Sequence, residues 1–359
     1  MAGSYPRPLP RASRTATISA MQSASFTREE LLSNHAFARP HEAAGRRLHG
    51  GLDAQGRYLP PRTQVREPAV RAWEQRLVER GGELLRADLS LLPAPLFPNF
   101  EQQKCLLAHG LGQTLWNTLT ITGVIEARGK ILAEFPAPEF ADVVEDDLSE
   151  TATGHLRRGL LEAHGFDEGG APDSDLGAHD AMWFAARDLA LGIDSYPMPE
   201  IPESIGRPDA GRLCPSLPIG HEMMLSLLAN VLLIEIRAEK VFSFVQALLR
   251  QHQLFKARTS DLELAHEMIA RIRTDEAIHV DYLRLVLSEL RTFTFRGLDG
   301  SRLPGAAVLD PLWNAVVQWH ALENPRLARA QMEPVLRARI LTHPDGAAIL
   351  EEIESLADA

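Results

Sequence analysis

The stretch DLELAHEMIARIRTDEAIHVDYLRLVLSELR, residues 261–291, decides how this chain is read. Apolar side chains recur every three to four positions, at Leu262, Ala265, Ile269, Ile272, Val280, Leu283 and Leu287. At 100° per residue they fall within about 40° of one line, the signature of an amphipathic helix. Glu276 stands in the middle of that stripe, where a lone carboxylate is expensive to bury. His279 lies about 60° around the same face and one turn along, so both side chains can reach one ion. The segment Asp275-Glu276-Ala277-Ile278-His279 is therefore a Glu-x-x-His motif.

The preceding helical pattern, residues 221–251, repeats the anomaly. Its stripe runs Leu225, Leu228, Leu232, Ile236, Glu239, Ser243 and Gln246, with Glu239 near the centre. Glu235 lies about 40° from Glu239 and reads as a surface or outer-sphere acid paired with Arg237 or Lys240. Two neighbouring helices each direct an acid into an apolar face. A multivalent cation is the economical solution, because unpartnered buried carboxylates would protonate.

A Glu on one helix and Glu-x-x-His on the next form half of a di-metal carboxylate site. In these residues the chain resembles the ferritin-like di-iron superfamily: ribonucleotide reductase small subunits, bacterial multicomponent monooxygenases, acyl-carrier desaturases, rubrerythrins and arylamine N-oxygenases. The resemblance extends to Asp275, which in several relatives bonds the second nitrogen of a metal-binding histidine. It implies a four-helix bundle with one long crossover and a matching first helix pair. Glu126 lies on a stripe with Leu115, Leu119, Thr122, Gly129 and Ala133, and Glu162 follows 36 positions later, close to the 37 between Glu239 and Glu276. The position three after Glu162 is Gly165, so the nitrogen ligand is His164, one residue short, or His155, two turns earlier.

The expected metal set is thus Glu126, Glu162, Glu239, Glu276 and His279 with His155 or His164, and Asp275 and Glu235 in support. The resemblance implies two irons, with manganese an option at one site, and a monooxygenase or oxidase that activates O₂ to attack a C–H or N–H bond of a small organic substrate. An external electron donor and a homodimer are compatible with it.

Composition agrees with a helical enzyme. The chain has 359 residues, 45% apolar and only 6% aromatic, with Leu and Ala dominant. Its net charge of −11 supplies no basic field for nucleic acid. Two cysteines, Cys105 and Cys214, cannot build a disulfide framework and fit a reducing cytoplasm. The most apolar run, residues 223–234, stops at Glu235 and is short of the roughly 20 residues of a membrane helix. No sustained strand alternation occurs, so the expected class is all-α.

Residues 1–28 hold no acid and several Arg, Ser and Pro, and read as a disordered tail, with a transit peptide as the alternative. Residues 29–359 read as one helical domain with its bundle over about 101–291. Further helices are expected over 69–92, 101–135, 141–164, 179–191, 310–323 and 331–357. Six prolines between Gly192 and Gly220 mark the long crossover.

Some residues keep two readings. His179 and Asp180 form a helix N-terminal turn or an additional ligand and pocket wall, and Tyr282 is a core tyrosine or a redox neighbour. The run Asp146-Asp147-Leu148-Ser149-Glu150 resembles an acidic magnesium motif but lies off its apolar stripe, as a solvated face would. Two other functions compete with the iron enzyme. One is a magnesium-dependent helical isoprenoid enzyme. The other is a metal-free helical binding or scaffold protein in which Glu239 and Glu276 pair with arginines such as Arg273.

Overall fold

The structure, a computed structural model, describes residues 24–208 and 211–357. The described chain is mostly helical. Strands β1 (Arg39–Ala43), β2 (Arg46–Leu52) and β3 (Tyr58–Leu59) form a small antiparallel sheet in order β1-β2-β3, where the sequence suggests only irregular chain. Helices α1 (Thr63–Glu79), α2 (Phe100–Ala108), α3 (Gln113–Gly129), α4 (Leu160–Gly169) and α5 (His179–Leu191) follow. After the proline-rich crossover come α6 (Ile219–Leu249) and α7 (Thr259–Thr292), then the hairpin of β4 (Thr294–Arg296) and β5 (Arg302–Pro304). The chain ends with α8 (Gly305–Gln318), α9 (Asn324–Ile340) and α10 (Gly346–Ser355).

Four expected helices differ, one of them 331–357, which is divided between α9 and α10. The segment 101–135 breaks between α2 and α3, where Gly110 adopts φ +74°, a left-handed value that ends helices. The segment 141–164 is mostly irregular. Val144 bridges to Phe295, Thr151 caps a four-residue helix, and Gly159 at φ +119° halts the chain before α4 starts. The first long helix starts at Thr63, so Pro68 lies inside it rather than at its opening.

Helix α7 is the axis of the molecule, packing against α1, α5, α6 and α8, while α3 packs against α4 and α5. Two apolar clusters meet along it. One includes Ile236 of α6 and Ile278 to Leu290 of α7; the other includes Phe242 to Leu249 of α6 and Leu262 to Ile272 of α7. Asp275 and Glu276 fall in the gap between them on α7, and Glu235 on α6 interrupts the first cluster between Leu233 and Ile236. Helix α6 has the length and composition to cross a membrane, yet 56% of its most apolar window is buried within the protein.

Of the segment read as a tail, residues 1–23 lie outside the described residues. Residues 24–28 are packed: Ala24 and Phe26 belong to the larger apolar cluster, and the Trp73 indole N–H donates to the Ala24 carbonyl at 2.6 Å.

Candidate metal centre

Five helices bring four glutamates and three histidines to one buried place. Helix α3 supplies Glu126, α4 His164 and Glu168, α5 His179, α6 Glu235, and α7 Glu276 and His279. They form two sets of possible ligands, His164–Glu168–Glu235–His279 and Glu126–Glu168–His179–Glu276, that share Glu168. Every one of the seven is buried, and the three histidines are 0% exposed.

Glu168 is the centre of the arrangement. Its Oε1 lies 3.2 Å from His279 Nδ1, 3.4 Å from His179 Nδ1 and 3.5 Å from His164 Nε2. His164 Nε2 is also 3.1 Å from Glu235 Oε1, and His179 Nδ1 is 3.1 Å from Glu276 Oε1 and 3.6 Å from Glu126 Oε2. Despite these approaches, Glu168 Oε1, His179 Nδ1 and Glu276 Oε1 have no hydrogen-bond partner among the described residues. Buried polar atoms of native proteins are rarely left so.

Each imidazole turns one nitrogen to the acids and has the other held from behind. His279 Nε2 meets Asp167 Oδ2 at 3.1 Å, His179 Nε2 meets Asp275 Oδ2 at 3.2 Å, and His164 Nδ1 meets the Tyr282 hydroxyl at 2.7 Å. The backing acids are themselves anchored. Asp167 receives Arg62 and the fully buried Arg66, the latter at 2.5 Å. Asp275 accepts from Tyr58 at 2.8 Å and lies 3.2 Å from His49. Arg62 reaches Asp167 from a left-handed backbone position, φ 52°, a strain that clusters at functional sites. Strand β2 delivers His49, and the pairing of its backbone with Gly177 at 2.8 Å pins the start of α5, and hence His179.

The electrostatics divide the acids, and the division does not follow position alone: Glu126, in the cluster, is lowered against the cost of burial by Glu168 and His179. Burial, together with Glu126 and Glu276, pushes Glu168 well above the usual carboxyl range. Burial and Glu276 raise Glu235 to about 7, and burial raises Glu276. Asp167 goes the other way: against the cost of burial, Arg62, Arg66 and His279 hold it well below its ordinary value. Asp275 is lowered against burial by His179 and His49. Burial lowers His164 to about 4, with His279 adding to it, so its imidazole stays neutral.

The expected ligands thus divide. Glu126, His164, Glu276 and His279 meet in the cluster, and Asp275 backs a histidine as the resemblance implies. Glu235 is moved from support into the cluster. Glu239 is not there: it pairs with Arg273, accepting its Nε at 2.7 Å, with its side chain about one-third exposed. That pairing is the one expected for a scaffold protein, but it holds for Glu239 and not for Glu276. Glu162 is also outside, in an ion pair with Arg28. His155 is structural, accepting from the Phe26 N–H at 3.0 Å, with its ring 4.6 Å from that of Trp73.

Glu168 and Asp167 escaped sequence reasoning because Gly165 and the run Gly169-Gly170 suggest that the helix has ended. The glycines serve packing instead. A Cβ on Gly165 would stand 2.6 Å from Ala133 N, and one on Gly169 2.7 Å from the Ala127 carbonyl. The available signal was His164-x-x-x-Glu168, an i, i+4 pair. His179, the first residue of α5, stands in the cluster.

The acidic run 146–150 is used structurally. Asp146 accepts from Thr294 N, Asp147 from Ser149 N, and Glu150 pairs with Arg76 at 3.1 Å. Compared with known protein families, curated proteins and solved structures, the chain matches none.

Proposed function

We propose that the cluster holds two iron ions and that the protein is an O₂-dependent oxidoreductase acting on a C–H or N–H bond of a small organic molecule. The observation that carries the metal reading is the convergence of unpartnered atoms at Glu168, His179 and Glu276, in a cluster whose charge suits two divalent ions. Four carboxylates carry four negative charges, three imidazoles are neutral ligands, and two divalent cations balance them. Glu168, common to both sets, would bridge. Carboxylates favour the oxidised metal, and imidazoles are ligands that iron readily accepts.

The ligand chemistry resembles the ferritin-like carboxylate proteins, although here five helices contribute and His179 comes from the extra one. Bound iron would supply reduction of O₂, with electrons from an external donor, and the oxidising equivalent for the substrate. The protein's own part is to orient. Asp167 and Asp275 accept the outer N–H of His279 and His179, which presents Nδ1 of each ring to the centre. His164 presents Nε2 when its Nδ1–H donates to Tyr282. Burial excludes bulk water from all three rings. The two cysteines are free and buried, which suits a cytoplasmic enzyme.

The test is elemental analysis of protein reconstituted anaerobically with ferrous iron, followed by mixing with O₂ in a stopped-flow spectrometer. Two irons per chain and a transient visible absorption are expected. Retention of magnesium in preference to iron, or no tight metal at all, would overturn the reading.

A further inference from the structure

A cavity of about 570 Å³ runs from the crossover to the cluster, a size typical of small-molecule sites. Four proposed ligands, Glu126, His164, Glu168 and Glu235, line its inner end, whereas His179, Glu276 and His279 do not. It therefore reaches the cluster at the face formed by Glu126, His164, Glu168 and Glu235. Its walls are aliphatic, with Ile125, Ile131, Leu227, Val231 and Ile234 among them.

Three arginines also line the cavity, and two are engaged. Arg128 donates to the backbone carbonyls of Pro202 and Glu203, and Arg212 is tied to Glu222 and to the Cys214 and Leu217 carbonyls. Arg207 differs. Its backbone N–H donates to Asn230 Oδ1 at 2.6 Å, which pins the residue beside α6. The residue is partly buried, and its guanidinium makes no hydrogen bond or ion pair among the described residues. From Asn230 to Glu235 is five residues of helix, roughly 8 Å along its axis. The cavity thus has, beside α6 at Asn230, an arginine whose side chain has no partner among the described residues, aliphatic walls, and the candidate metal ligands at its inner end.

We infer that the cavity binds an amphipathic monocarboxylate, its carboxylate on Arg207 and its aliphatic body along α6. A guanidinium matches a carboxylate with two parallel hydrogen bonds. The aliphatic walls favour a hydrocarbon body over a sugar or nucleotide, which would leave many polar groups unpaired. Such a ligand carries its distal carbons to the face formed by Glu126, His164, Glu168 and Glu235. This deepens the oxygenase reading and, for the chemistry, rests on it; binding does not.

The experiment is calorimetric titration of the full chain, loaded with redox-inert zinc, with butanoate, octanoate, decanoate, decan-1-ol and decylamine. Metal content is measured on the same sample. Decanoate should bind with one-to-one stoichiometry, butanoate and decylamine much more weakly. Arg207→Gln, which removes a guanidinium without partners among the described residues, should weaken decanoate by roughly ten- to a hundredfold and leave decan-1-ol unchanged, and Arg207→Lys should restore part of the loss. No saturable binding of any acid, or decanoate affinity indifferent to Arg207→Gln, overturns the inference. Decanoate binding that depends on Arg207 in protein holding no zinc would support the inference and count against the two-metal reading.

Discussion

Replacing Glu235 by Gln should change stability in opposite directions with and without bound metal. In the metal-free protein the Glu235 carboxyl is raised from 4.5 to about 7 by burial and the nearby Glu276. A folded-state value above the unfolded one means the native state holds its proton more tightly, so stability falls as pH rises from about 4.5 through 7. A displacement of this size corresponds to roughly 3 kcal/mol at pH 8. Gln keeps the shape and carries no charge, so metal-free E235Q should be more stable than wild type at pH 8 by up to that amount. At pH 5 the gain should shrink to below about 1 kcal/mol. The neighbouring His164, lowered to about 4, contributes to both proteins and largely drops out of the difference. With metal present the order reverses, because the variant lacks one ligand and binding to the native state is itself stabilisation. The assay is urea denaturation followed by circular dichroism at 222 nm, with chelator and with zinc, at both pH values. Metal-free E235Q that is less stable than wild type at pH 8, or zinc stabilising both proteins equally, would refute the reasoning.

Three further outcomes follow from the geometry. Asp167→Asn leaves Arg62 and Arg66 facing a neutral group and loosens His279, so zinc affinity measured by competition with a chromogenic chelator should fall about 10- to 100-fold. Glu239→Ala removes only a partly exposed pair with Arg273; metal content should be unchanged and stability should shift by less than about 1 kcal/mol. Gly165→Ala forces a methyl to within 2.6 Å of Ala133 N, so thermal unfolding should show a loss of about 1–3 kcal/mol, with weaker metal binding because His164 and Glu168 flank the strained contact.

Helix periodicity made α6 and α7 legible almost to their ends, because each buries a continuous stripe. It also located Glu276 and His279, whose burial is fixed by their own helix. Between Glu235 and Glu239 it had little power. The two differ by about 40° on the helix, and α6 is buried over a wide arc that includes Leu232, Leu233, Glu235 and Ile236, so the centre of its stripe does not identify which acid enters the cluster. The first half of the site was harder still. Equal spacing between helix pairs presumes a helix over 141–164, and Gly159 breaks it. Gly165, which looks like a helix end, permits the close approach of the chain around Ala133. Such contacts depend on a neighbour's position, and local pattern does not encode it. The β2 strand and His49 were invisible for a related reason: its partners are the short strands beside it and Gly177, and no face of it alternates over a useful length.

The protonation pattern adds an argument independent of ligand counting. If the cluster were only a polar core, its acids would be expected to resemble Asp167, each ionised and matched by fixed protein cations. Asp167 has two arginines; Glu168, Glu235 and Glu276 have none. The cation that faces them is the His179 imidazole, which against the cost of burial is raised well above its ordinary value by Glu276, Asp275, Glu126 and Glu168, a single positive charge among four inner carboxylates. Protons can serve, and in the metal-free protein they do, at the stability cost that E235Q should relieve. In the proposed metal-bound form divalent ions would take that place and would also take up the unpartnered Glu168, Glu276 and His179 atoms. The arginines make the same distinction from the other side. Evenly distributed, they would neutralise the glutamates, but they are placed one shell out, where they keep Asp167 ionised and able to accept from His279. That division of charge is what the proposed metal reading requires, with Asp167 ionised behind His279 and the inner acids free of arginine.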